Sequence, residues 1–328
     1  MISIDQSELK TIFEKFKQCE VLIIGDVMLD EYLFGTVQRI SPEAPVPVVD
    51  VTDQEIRLGG AANVALNSQT LGLKPLLVGI IGDDREGRLF SDLLQQSGMD
   101  ASGLLQLSSR PTTVKTRIIG QSQHITRVDR EAKDYLGDNE AHKLVDLIAE
   151  KIEEADAIIL QDYNKGVLSE FVIKSTIELA LQQEKLISVD PKFTNFLKYR
   201  NVTIFKPNIK ETEAALAMHV EDEKSLMSAG ERLLELLGSK SLLITRGAEG
   251  MSLFEQNGQV THIPTKARKI ADVSGAGDTV ISTLTAALIG GASHQQAATI
   301  ANYAAGLVCE EIGIVPINKE KLIQACCG

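Results

Sequence analysis

The stretch Asp272-Val273-Ser274-Gly275-Ala276-Gly277-Asp278-Thr279 decides the fold that we predict, because it leads directly into the long apolar segment 280–289. Glycines followed by an apolar run predict the entrance of a buried helix. At such an entrance the backbone N–H groups point outward, and the helix dipole adds positive potential. The stretch therefore predicts a binding site for an anionic group, such as a phosphoryl group, at the start of a buried helix.

Asp278 lies in the first turn of this predicted helix, and two roles fit it. A carboxylate there commonly complements the helix dipole, and from this stretch alone capping is the favoured role. The alternative is a general base that accepts the proton of an attacking hydroxyl, while the amides of Gly275, Ala276 and Gly277 surround the transferred phosphoryl group. Competing phosphate loops are absent from the sequence, since no GxxxxGK[ST] string occurs and Val280 replaces the third glycine of GxGxxG.

Away from this stretch, short apolar runs alternate with amphipathic segments. The apolar runs, which predict strands buried on both faces, are 21–24, 76–81, 157–160, 186–189, 202–205 and 242–245. The amphipathic segments, which have the apolar spacing of helices, are 61–71, 86–96, 139–152, 170–182 and 224–237. This alternation predicts a three-layer, doubly wound α/β fold with a mostly parallel sheet. We expect a single domain over residues 1–328.

Two segments break the alternation, residues 32–57 and residues 112–130. The first contains Pro42, Pro45 and Pro47, and the second alternates in the manner of exposed strands. We predict that they form one small antiparallel sheet that acts as a lid. The alternative is a pair of irregular surface loops.

Composition excludes several classes of function. The chain has 33 Lys and Arg against 45 Asp and Glu, a net charge of −12, which repels nucleic acid over most of the surface. The four cysteines include no CxxC pair, so neither a zinc site nor a disulfide framework is indicated. Acidic residues precede any apolar run, and the apolar stretch from 280 is shorter than the roughly 20 residues that span a bilayer. We expect a soluble, cytoplasmic protein with neither a nucleic-acid nor a membrane partner.

Two motifs in the first third of the chain carry a family resemblance together with Gly-Ala-Gly-Asp at 275–278. They are Gly59-Gly60-Ala61-Ala62-Asn63-Val64-Ala65 and Gly79-Ile80-Ile81-Gly82-Asp83-Asp84-Arg85-Glu86-Gly87. In this order the motifs resemble the ribokinase (PfkB) family of carbohydrate kinases, from residue 21 to about residue 316. The resemblance implies a ribokinase-like fold, ATP as phosphoryl donor and Mg²⁺ as cofactor. It also implies that Asp278 is the base and that Gly275, Ala276 and Gly277 form the anion hole.

The resemblance also assigns the nucleotide and metal residues. Asn208-Ile209-Lys210-Glu211 matches the family's Asn-x-x-Glu element, in which the glutamate acts on Mg²⁺ through water. The alternative, a helix N-cap with its N3 partner, does not exclude this role. Thr245, Gly247 and Gly250 match the family's turn beside the nucleotide.

Three further positions have weaker assignments from the resemblance. Asn302 matches the position near adenine, although a core or capping Asn fits it nearly as well. Asp272 and Ser274 match positions that hold a monovalent cation in many members, with K⁺ as the candidate ion here. The sequence leaves open whether this chain needs K⁺.

On the sugar side, Asp30 aligns with the family's hydroxyl ligand at the end of the first strand. A carboxylate suits this role because it accepts two hydroxyl hydrogen bonds at once. Gly59 and Gly60 would let the backbone approach the sugar, and Asn63 would contact another hydroxyl. The alternative for the glycines is tight helix packing.

A narrower resemblance concerns the substrate. Arg39-Ile40-Ser41-Pro42-Glu43-Ala44-Pro45-Val46-Pro47-Val48, Gln161-Asp162-Tyr163-Asn164-Lys165-Gly166-Val167 and Val189-Asp190-Pro191-Lys192 are similar to the family branch that phosphorylates the anomeric hydroxyl of a heptose 7-phosphate in ADP-heptose synthesis. In that branch a serine usually stands where this chain has Gln161. We expect this departure not to touch the charged positions.

The expected sugar phosphate requires two or three cationic partners in an otherwise acidic chain. Candidates in the lid are Lys115, Arg117, Arg127 and Arg130, and candidates elsewhere are Arg39, Lys165 and Lys192. For any single cation, solvation or pairing with Asp129 or Glu131 is the favoured alternative. The predicted substrate contacts, beyond those to the sugar hydroxyls, are Lys115, Arg127, Lys165, Asp190 and Lys192.

Other functions stay open at this point. A ribose, fructose-phosphate or nucleoside kinase shares the family motifs, although 4% aromatic residues and no Trp argue against a nucleoside. A non-catalytic binding module is a second alternative, and a dehydrogenase lacks its fingerprint. We expect a homodimer through the lid, because exposed sheet edges invite pairing and the family commonly dimerises there. No His-x-Gly-His motif of a nucleotidyltransferase occurs, so a stand-alone kinase and a part of a longer polypeptide both fit.

Overall fold

The computed structural model describes residues 5–121, 123–266, 271–311 and 313–327. Its strands are β1 (Glu20–Gly25), β2 (Val27–Ile40), β3 (Pro47–Gly60), β4 (Lys74–Gly82), β5 (Leu104–Leu107), β6 (Val114–Gly120), β7 (Gln123–Arg130), β8 (Ala157–Gln161), β9 (Leu186–Asp190), β10 (Ile204–Phe205), β11 (Ser241–Thr245), β12 (Met251–Glu255) and β13 (Val260–Ile263). Its α-helices are α1 (Gln6–Lys15), α2 (Ala61–Leu71), α3 (Arg85–Gln96), α4 (Asp138–Ile152), α5 (Glu170–Gln182), α6 (Ile209–Leu216), α7 (Glu223–Leu237), α8 (Ala276–Ile289), α9 (His294–Val308) and α10 (Lys319–Cys327).

Within the described residues, nine strands form one large sheet in the order β13-β12-β11-β10-β9-β8-β1-β4-β5. Pairing is parallel from β11 to β5 and antiparallel in the edge hairpin β11-β12-β13. The six predicted apolar runs all overlap strands of this sheet. The mostly parallel sheet is therefore confirmed, while β12 and β13 were not predicted because they are short and mix polar with apolar residues.

Both faces of the large sheet are covered, as the apolar runs predict. In β1, Val21 and Ile23 belong to a core shared with α1, α2, α3, α8, α9 and α10. Leu22 and Ile24 belong to a second core shared with α4, α5, α6 and α7. Each fully buried aliphatic side chain contributes roughly 1.5–3 kcal/mol, so both faces of the strand stabilise the fold. The three-layer α/β architecture is confirmed.

The segments 32–57 and 112–130 form a second sheet, in the order β3-β2-β6-β7, which we call the small sheet. β2 pairs antiparallel with β3, and β6 pairs antiparallel with β7. The two hairpins are joined by a parallel pairing of β2 with β6. The alternative of irregular loops is thus wrong. The strands also extend closer to the core than predicted, since β2 begins at Val27 and β3 ends at Gly60.

The strand order reverses at β1, which lies between β4 on one side and β8 on the other. In open α/β sheets, ligands bind in the crevice at the carboxyl ends of the strands next to such a reversal. Gly25, Gln161 and Asp190 end β1, β8 and β9, and α8 begins beside them. Among the described helices, none is both long and apolar enough to cross a bilayer.

Candidate active site

Asp278 lies in the crevice at the reversal point and is only 3% exposed. Its Oδ1 accepts a hydrogen bond from the Tyr163 hydroxyl (2.6 Å), and its Oδ2 accepts one from Nδ2 of Asn63 in α2 (2.7 Å). Within the described part of the chain, no hydrogen bond to this carboxylate comes from an N–H of its own helix. The structure therefore shows no hydrogen-bonded cap from Asp278 to its own helix, while its place in the first turn of α8 still complements the helix dipole.

The surroundings of Asp278 alter its protonation. Burial raises the pKa of this carboxyl to about 6, and the neighbouring Asp190 acts in the same direction. The hydrogen bonds from Tyr163 and Asn63, and the charge of Lys206, oppose the shift. A carboxylate with such a pKa is ionised at neutral pH and can still accept a proton.

Asp190 occupies the floor of the crevice beside Asp278. Its Oδ2 pairs with Nζ of Lys206 (3.0 Å), and both side chains are almost fully buried. Nε2 of Gln161 lies within hydrogen-bond distance of Asp190 and Asp278. The departure at Gln161 leaves the charged positions of that motif, Asp162 and Lys165, in place. The end of β8 points the Gln161 amide between two carboxylates.

The loop before α8 surrounds the space above Asp278. Gly275 caps the helix at φ 76°, in the left-handed region that favours glycine. A Cβ there would lie 3.2 Å from Nδ2 of Asn63, so a larger residue would also press on a hydrogen-bond partner of Asp278. At the start of the loop, Asp272 accepts N–H groups from Ser274 (2.9 Å) and Gly313 (3.1 Å). The structure thus brings Asp272 and Ser274 together at the base of this loop.

Two adjoining clefts border the loop before α8. One, of about 740 Å³, is mainly apolar, and Gly250, Met251, Val280, Asn302 and Cys309 contribute to its lining. The other, of about 1240 Å³, which we call the polar cleft, is lined by charged and polar side chains that include Tyr163, Asp190, Lys192, Lys206, Lys210, Glu211 and Asp278. Four residues line both clefts, namely Thr245, Gly247, Val273 and Gly277. Together, the two clefts have the shape and polarity required to bind a nucleobase joined to a chain of phosphates.

Asn302 contributes to the apolar cleft and is also a structural residue. It is buried, and its Nδ2 donates to the main-chain oxygen of Pro264 (2.8 Å). Both interpretations of this asparagine from the sequence are therefore compatible with its position.

Asn208 and Glu211 form the N-terminal cap of α6, as the structural alternative predicts. Oδ1 of Asn208 accepts the Glu211 N–H, and Oε2 of Glu211 accepts the Asn208 N–H, each at 2.9 Å. Oε1 of Glu211 is 2.7 Å from Nζ of Lys192. Burial alone would lower the pKa of Lys192, but the carboxylates of Asp190 and Glu211 raise it above its ordinary value. Glu211 is thus held on the wall of the polar cleft.

The oxygen donors of the polar cleft fit Mg²⁺ only in combination with a ligand. Among the described residues, no group of three or more His, Cys, Asp or Glu side chains could hold a metal ion. Mg²⁺ is usually held by one or two carboxylates together with substrate phosphates and waters. Glu211 supplies one carboxylate on the cleft wall, which fits that mode of binding.

The prediction that Asp30 lies at the end of the first strand is wrong, since Asp30 lies in β2 of the small sheet. This is because β1 already ends at Gly25. Asp30 is buried and forms an ion pair with Arg117 of β6. A Cβ on Gly59 would lie 2.0 Å from Oδ2 of Asp30, so glycine leaves room for this carboxylate. Arg117, which was a candidate phosphate ligand, instead neutralises Asp30.

Lys115 and Lys192 approach the same aromatic ring from different elements. Their Nζ atoms lie 5.3 and 5.6 Å from the ring centroid of Tyr163. Burial lowers the pKa of Lys115; the charge of Lys165 adds to this effect, whereas Asp30 opposes it. Both lysines place positive charge beside Tyr163.

Other predicted cations have carboxylate partners. Arg127 is 2.8 Å from Asp129, and Lys165 is 2.6 Å from Glu131. The pairing alternative thus describes Arg127 and Lys165. Arg127 is largely exposed, whereas Lys165 is mostly buried.

Tyr163 and Asp26 are site residues to which the sequence analysis assigned no role, although Tyr163 lies in the motif at 161–167. Asp26 is fully buried and accepts the N–H groups of Tyr163 (2.8 Å), Lys165 (3.0 Å) and Val167 (3.2 Å). It therefore holds the loop that carries the Tyr163 hydroxyl to Asp278. An acidic residue directly after a buried strand was the available signal.

Asp84 explains the motif at 79–87 that carries the resemblance. It caps α3 through the Gly87 N–H (2.7 Å) and accepts the Thr112 hydroxyl (2.6 Å). It also pairs with Arg130 at the end of β7 (2.7 Å). The motif thus anchors the small sheet to the large one.

A family model, described as pfkB family carbohydrate kinase, matches residues 19–321. The chain belongs to this family. Membership confirms the predicted resemblance and the prediction of an ATP-dependent carbohydrate kinase.

Several curated relatives in this family carry the name bifunctional protein HldE. The one from Geobacter sulfurreducens is 41% identical over 319 residues, which cover 97% of this chain and 65% of the relative. The one from Syntrophotalea carbinolica is 39% identical over 321 residues, covering 98% and 66%. The chain thus spans about two thirds of the length of these relatives.

Solved structures show the same fold at low identity. Arabidopsis thaliana ribokinase complexed with ribose and ATP has a TM-score of 0.74 at 18% identity, covering 93% of this chain and 99% of that one. Escherichia coli phosphofructokinase-2 in complex with potassium has a TM-score of 0.77 at 18% identity, covering 94% and 98%. The ribokinase-like fold is confirmed.

Proposed function

We propose that the chain transfers the γ-phosphoryl group of ATP to the anomeric hydroxyl of D-glycero-D-manno-heptose 7-phosphate. The product would be the 1,7-bisphosphate used for ADP-heptose and lipopolysaccharide core synthesis. The observation that carries the proposal is the buried Asp278, with its raised pKa, at the end of a lysine-lined cleft that adjoins an apolar one. Similarity to the HldE relatives supports the choice of a heptose phosphate. We infer a cytoplasmic location, where ATP is available.

Proton transfer and charge stabilisation are assigned to separate groups. Asp278 takes the proton of the sugar hydroxyl, which increases the nucleophilicity of the oxygen as it attacks the γ-phosphorus. The amides of Gly275, Ala276 and Gly277 donate to the transferred group. Lys206, 3.0 Å from Asp190 on the cleft floor, adds positive charge near that group.

The nucleotide would occupy the two adjoining clefts. Its base would lie against the apolar cleft near Gly250 and Asn302, and its phosphates would pass Thr245 and Gly247. Glu211 would hold Mg²⁺ through water, and the ion would neutralise charge on the phosphates. Asp272 and Ser274 would hold a monovalent cation at the base of the anion-hole loop.

The sugar phosphate would bind between the small sheet and the crevice. Asp30 and Asn63 would bind hydroxyls, next to the backbone of Gly59 and Gly60. The phosphate of the sugar would lie among cations, with Lys115 and Lys192 beside Tyr163 and with Arg127 and Lys165 as further contacts. Closure of the small sheet as a lid would exclude water and limit ATP hydrolysis.

An ADP-release assay with a panel of acceptors tests the proposal. The panel contains the heptose 7-phosphate, fructose 1-phosphate, fructose 6-phosphate, ribose and adenosine. We expect the highest kcat/KM with the heptose 7-phosphate. Activity only on an unphosphorylated sugar would overturn the proposed binding site for the sugar phosphate. If none of the acceptors causes ADP release, the chain is a non-catalytic binding module.

A further inference from the structure

Gln161, the last residue of β8, is completely buried between two carboxylates. Its Nε2 lies 3.1 Å from Oδ1 of Asp278 and 3.2 Å from Oδ2 of Asp190. A primary amide carries two N–H hydrogens, so one Gln161 side chain can donate to both carboxylates at once. Its Oε1 is buried and has no hydrogen-bond partner among the described residues. Since buried polar atoms normally find partners, bound substrate or water would have to supply the missing donor.

The donors around Asp278 differ between its two oxygens. An ionised carboxylate offers about four acceptor positions, two on each oxygen. Oδ1 receives both the Tyr163 hydroxyl and the Gln161 amide, so its positions are filled. Among the residues that the structure describes, only Asn63 donates to Oδ2, through its Nδ2. One acceptor position therefore remains, and it is on Oδ2.

We propose that Gln161 is a positioning residue which, together with Tyr163, fills Oδ1 of Asp278 and directs the substrate proton to Oδ2. This rests on the proposed role of Asp278 as the base. In the step, the O–H bond of the sugar breaks and its proton binds Oδ2. The electron pair left on the sugar oxygen forms the new bond to the γ-phosphorus, and ADP leaves with the electrons of the broken P–O bond.

The second hydrogen bond of Gln161 keeps its amide in this orientation. Asp190 accepts it while being held by Lys206 (3.0 Å), and all three side chains are almost fully buried. The charged and titratable groups that face Asp278 are Asp190, Lys206, Lys192 and Tyr163. Gln161 places a neutral donor between the two negative charges, which favours the ionised form of Asp278 beside Asp190.

Gln161→Met, similar in size but without hydrogen-bond donors, tests this proposal. We expect the pKa of Asp278 to rise by about one unit, because a donor to the ionised carboxylate is lost. The acid limb of the pH profile of kcat/KM should move to higher pH by the same amount, while the KM for ATP stays unchanged. Gln161→Glu keeps a polar side chain of the same length but adds a negative charge, so it should raise this pKa further. The pKa is read from an NMR titration of protein labelled at the aspartate carboxyl carbons, with Asp278→Asn identifying the resonance.

Ser188→Ala is the matched control. It removes a buried hydrogen bond to Thr285 (2.8 Å) two residues before Asp190 and touches neither carboxylate. This variant should leave unchanged both the pKa of Asp278 and the acid limb of the pH profile of kcat/KM. An unchanged pKa in both folded Gln161 variants would overturn the proposal, as would a loss of kcat that is equal at every pH. Because the titration requires no turnover, it stays decisive even if the wild-type chain phosphorylates none of the panel sugars, a result that would count only against the proposed function.

Discussion

At the scale of single residues, Asp278 must be ionised to act as a base although its surroundings favour the neutral form. With a pKa of about 6, it loses its negative charge as the pH falls through that value. We therefore predict that kcat/KM is constant near pH 8 and decreases about tenfold per pH unit below pH 6. The measurement is kcat/KM from pH 5 to pH 8.5 under conditions where the protein stays folded. A profile that is flat down to pH 5 would contradict the assignment.

Sequence reasoning identified some residues of this centre and not others. Asp278 and Asn63 belong to recognisable motifs, and they meet in the structure as partners. Tyr163, Gln161 and Lys206 reach Asp278 or its neighbour Asp190 from the ends of separate strands and from the loops that follow them. Such proximity depends on strand order, which apolar periodicity does not specify.

At the scale of elements, the entrance of α8 depends on the left-handed conformation of Gly275. Alanine in this region costs about 1–2 kcal/mol, so Gly275→Ala should lower the free energy of unfolding by that amount. It should also reduce kcat, because the added Cβ approaches Nδ2 of Asn63. Denaturant unfolding and steady-state kinetics measure the two effects.

Gly258→Ala separates backbone strain from catalysis. Gly258 lies in the turn between β12 and β13 with φ 84°, and a Cβ there would meet nothing within 4 Å. We expect a similar loss of stability with normal kcat. Equal losses of kcat in the Gly275 and Gly258 variants would show that the first acts only through the fold.

The small sheet presents two cations with different environments. Lys115 is half-buried beside Tyr163, whereas Arg127 is exposed and already paired with Asp129. Loss of a buried charged contact costs about 1.5–3 kcal/mol, so Lys115→Met should raise the KM for the sugar phosphate about 10- to 100-fold. Arg127→Met should change it less than about fivefold, as expected for an exposed pair. The KM for ATP should stay constant in both variants, and a larger effect of Arg127 would contradict this ranking.

Elements were predictable where a period is sustained. The helices predicted at 61–71 and 170–182 have the bounds of α2 and α5. The helix predicted to contain the apolar segment 280–289, with Asp278 in its first turn, begins at Ala276, so the glycine-rich run itself supplies the first turn. The parallel pairing of β2 with β6 was not predictable, since alternation identifies a strand but not its neighbour.

At the scale of the whole molecule, the small sheet and the turn between β2 and β3 expose apolar side chains. Ile40, Val46, Val51 and Val128 are each more than half exposed. We predict that these residues lie in a homodimer interface, where their apolar surface would be removed from water. Light scattering after size-exclusion chromatography should give twice the mass of the chain, and Val51→Glu should shift it toward the monomer. A monomeric wild-type protein at micromolar concentration would contradict this prediction.

The overall architecture followed from the alternation of elements because each parallel strand must be covered on both faces. Its place in the family followed from three motifs in a fixed order. Family membership does not specify the substrate. The relatives are named as bifunctional proteins, and the chain spans 65% of the length of the one from Geobacter sulfurreducens. In the proposed function, the identity of the sugar depends on a few side chains around Tyr163 rather than on the fold.

The most direct test of the account is the turnover of Asp278→Asn with ATP and the heptose 7-phosphate. Asparagine keeps the size of the side chain but cannot accept the proton as a carboxylate does. We predict that kcat falls by about 10²–10⁴, while the affinity for ATP, measured by calorimetry, stays within about twofold of the wild type. Ser282→Ala, one turn further into α8, removes a hydrogen bond to the Asp278 main-chain carbonyl (2.8 Å) and should retain most of the activity. Near-normal turnover of a folded Asp278→Asn protein would contradict the central claim that this carboxylate is the base.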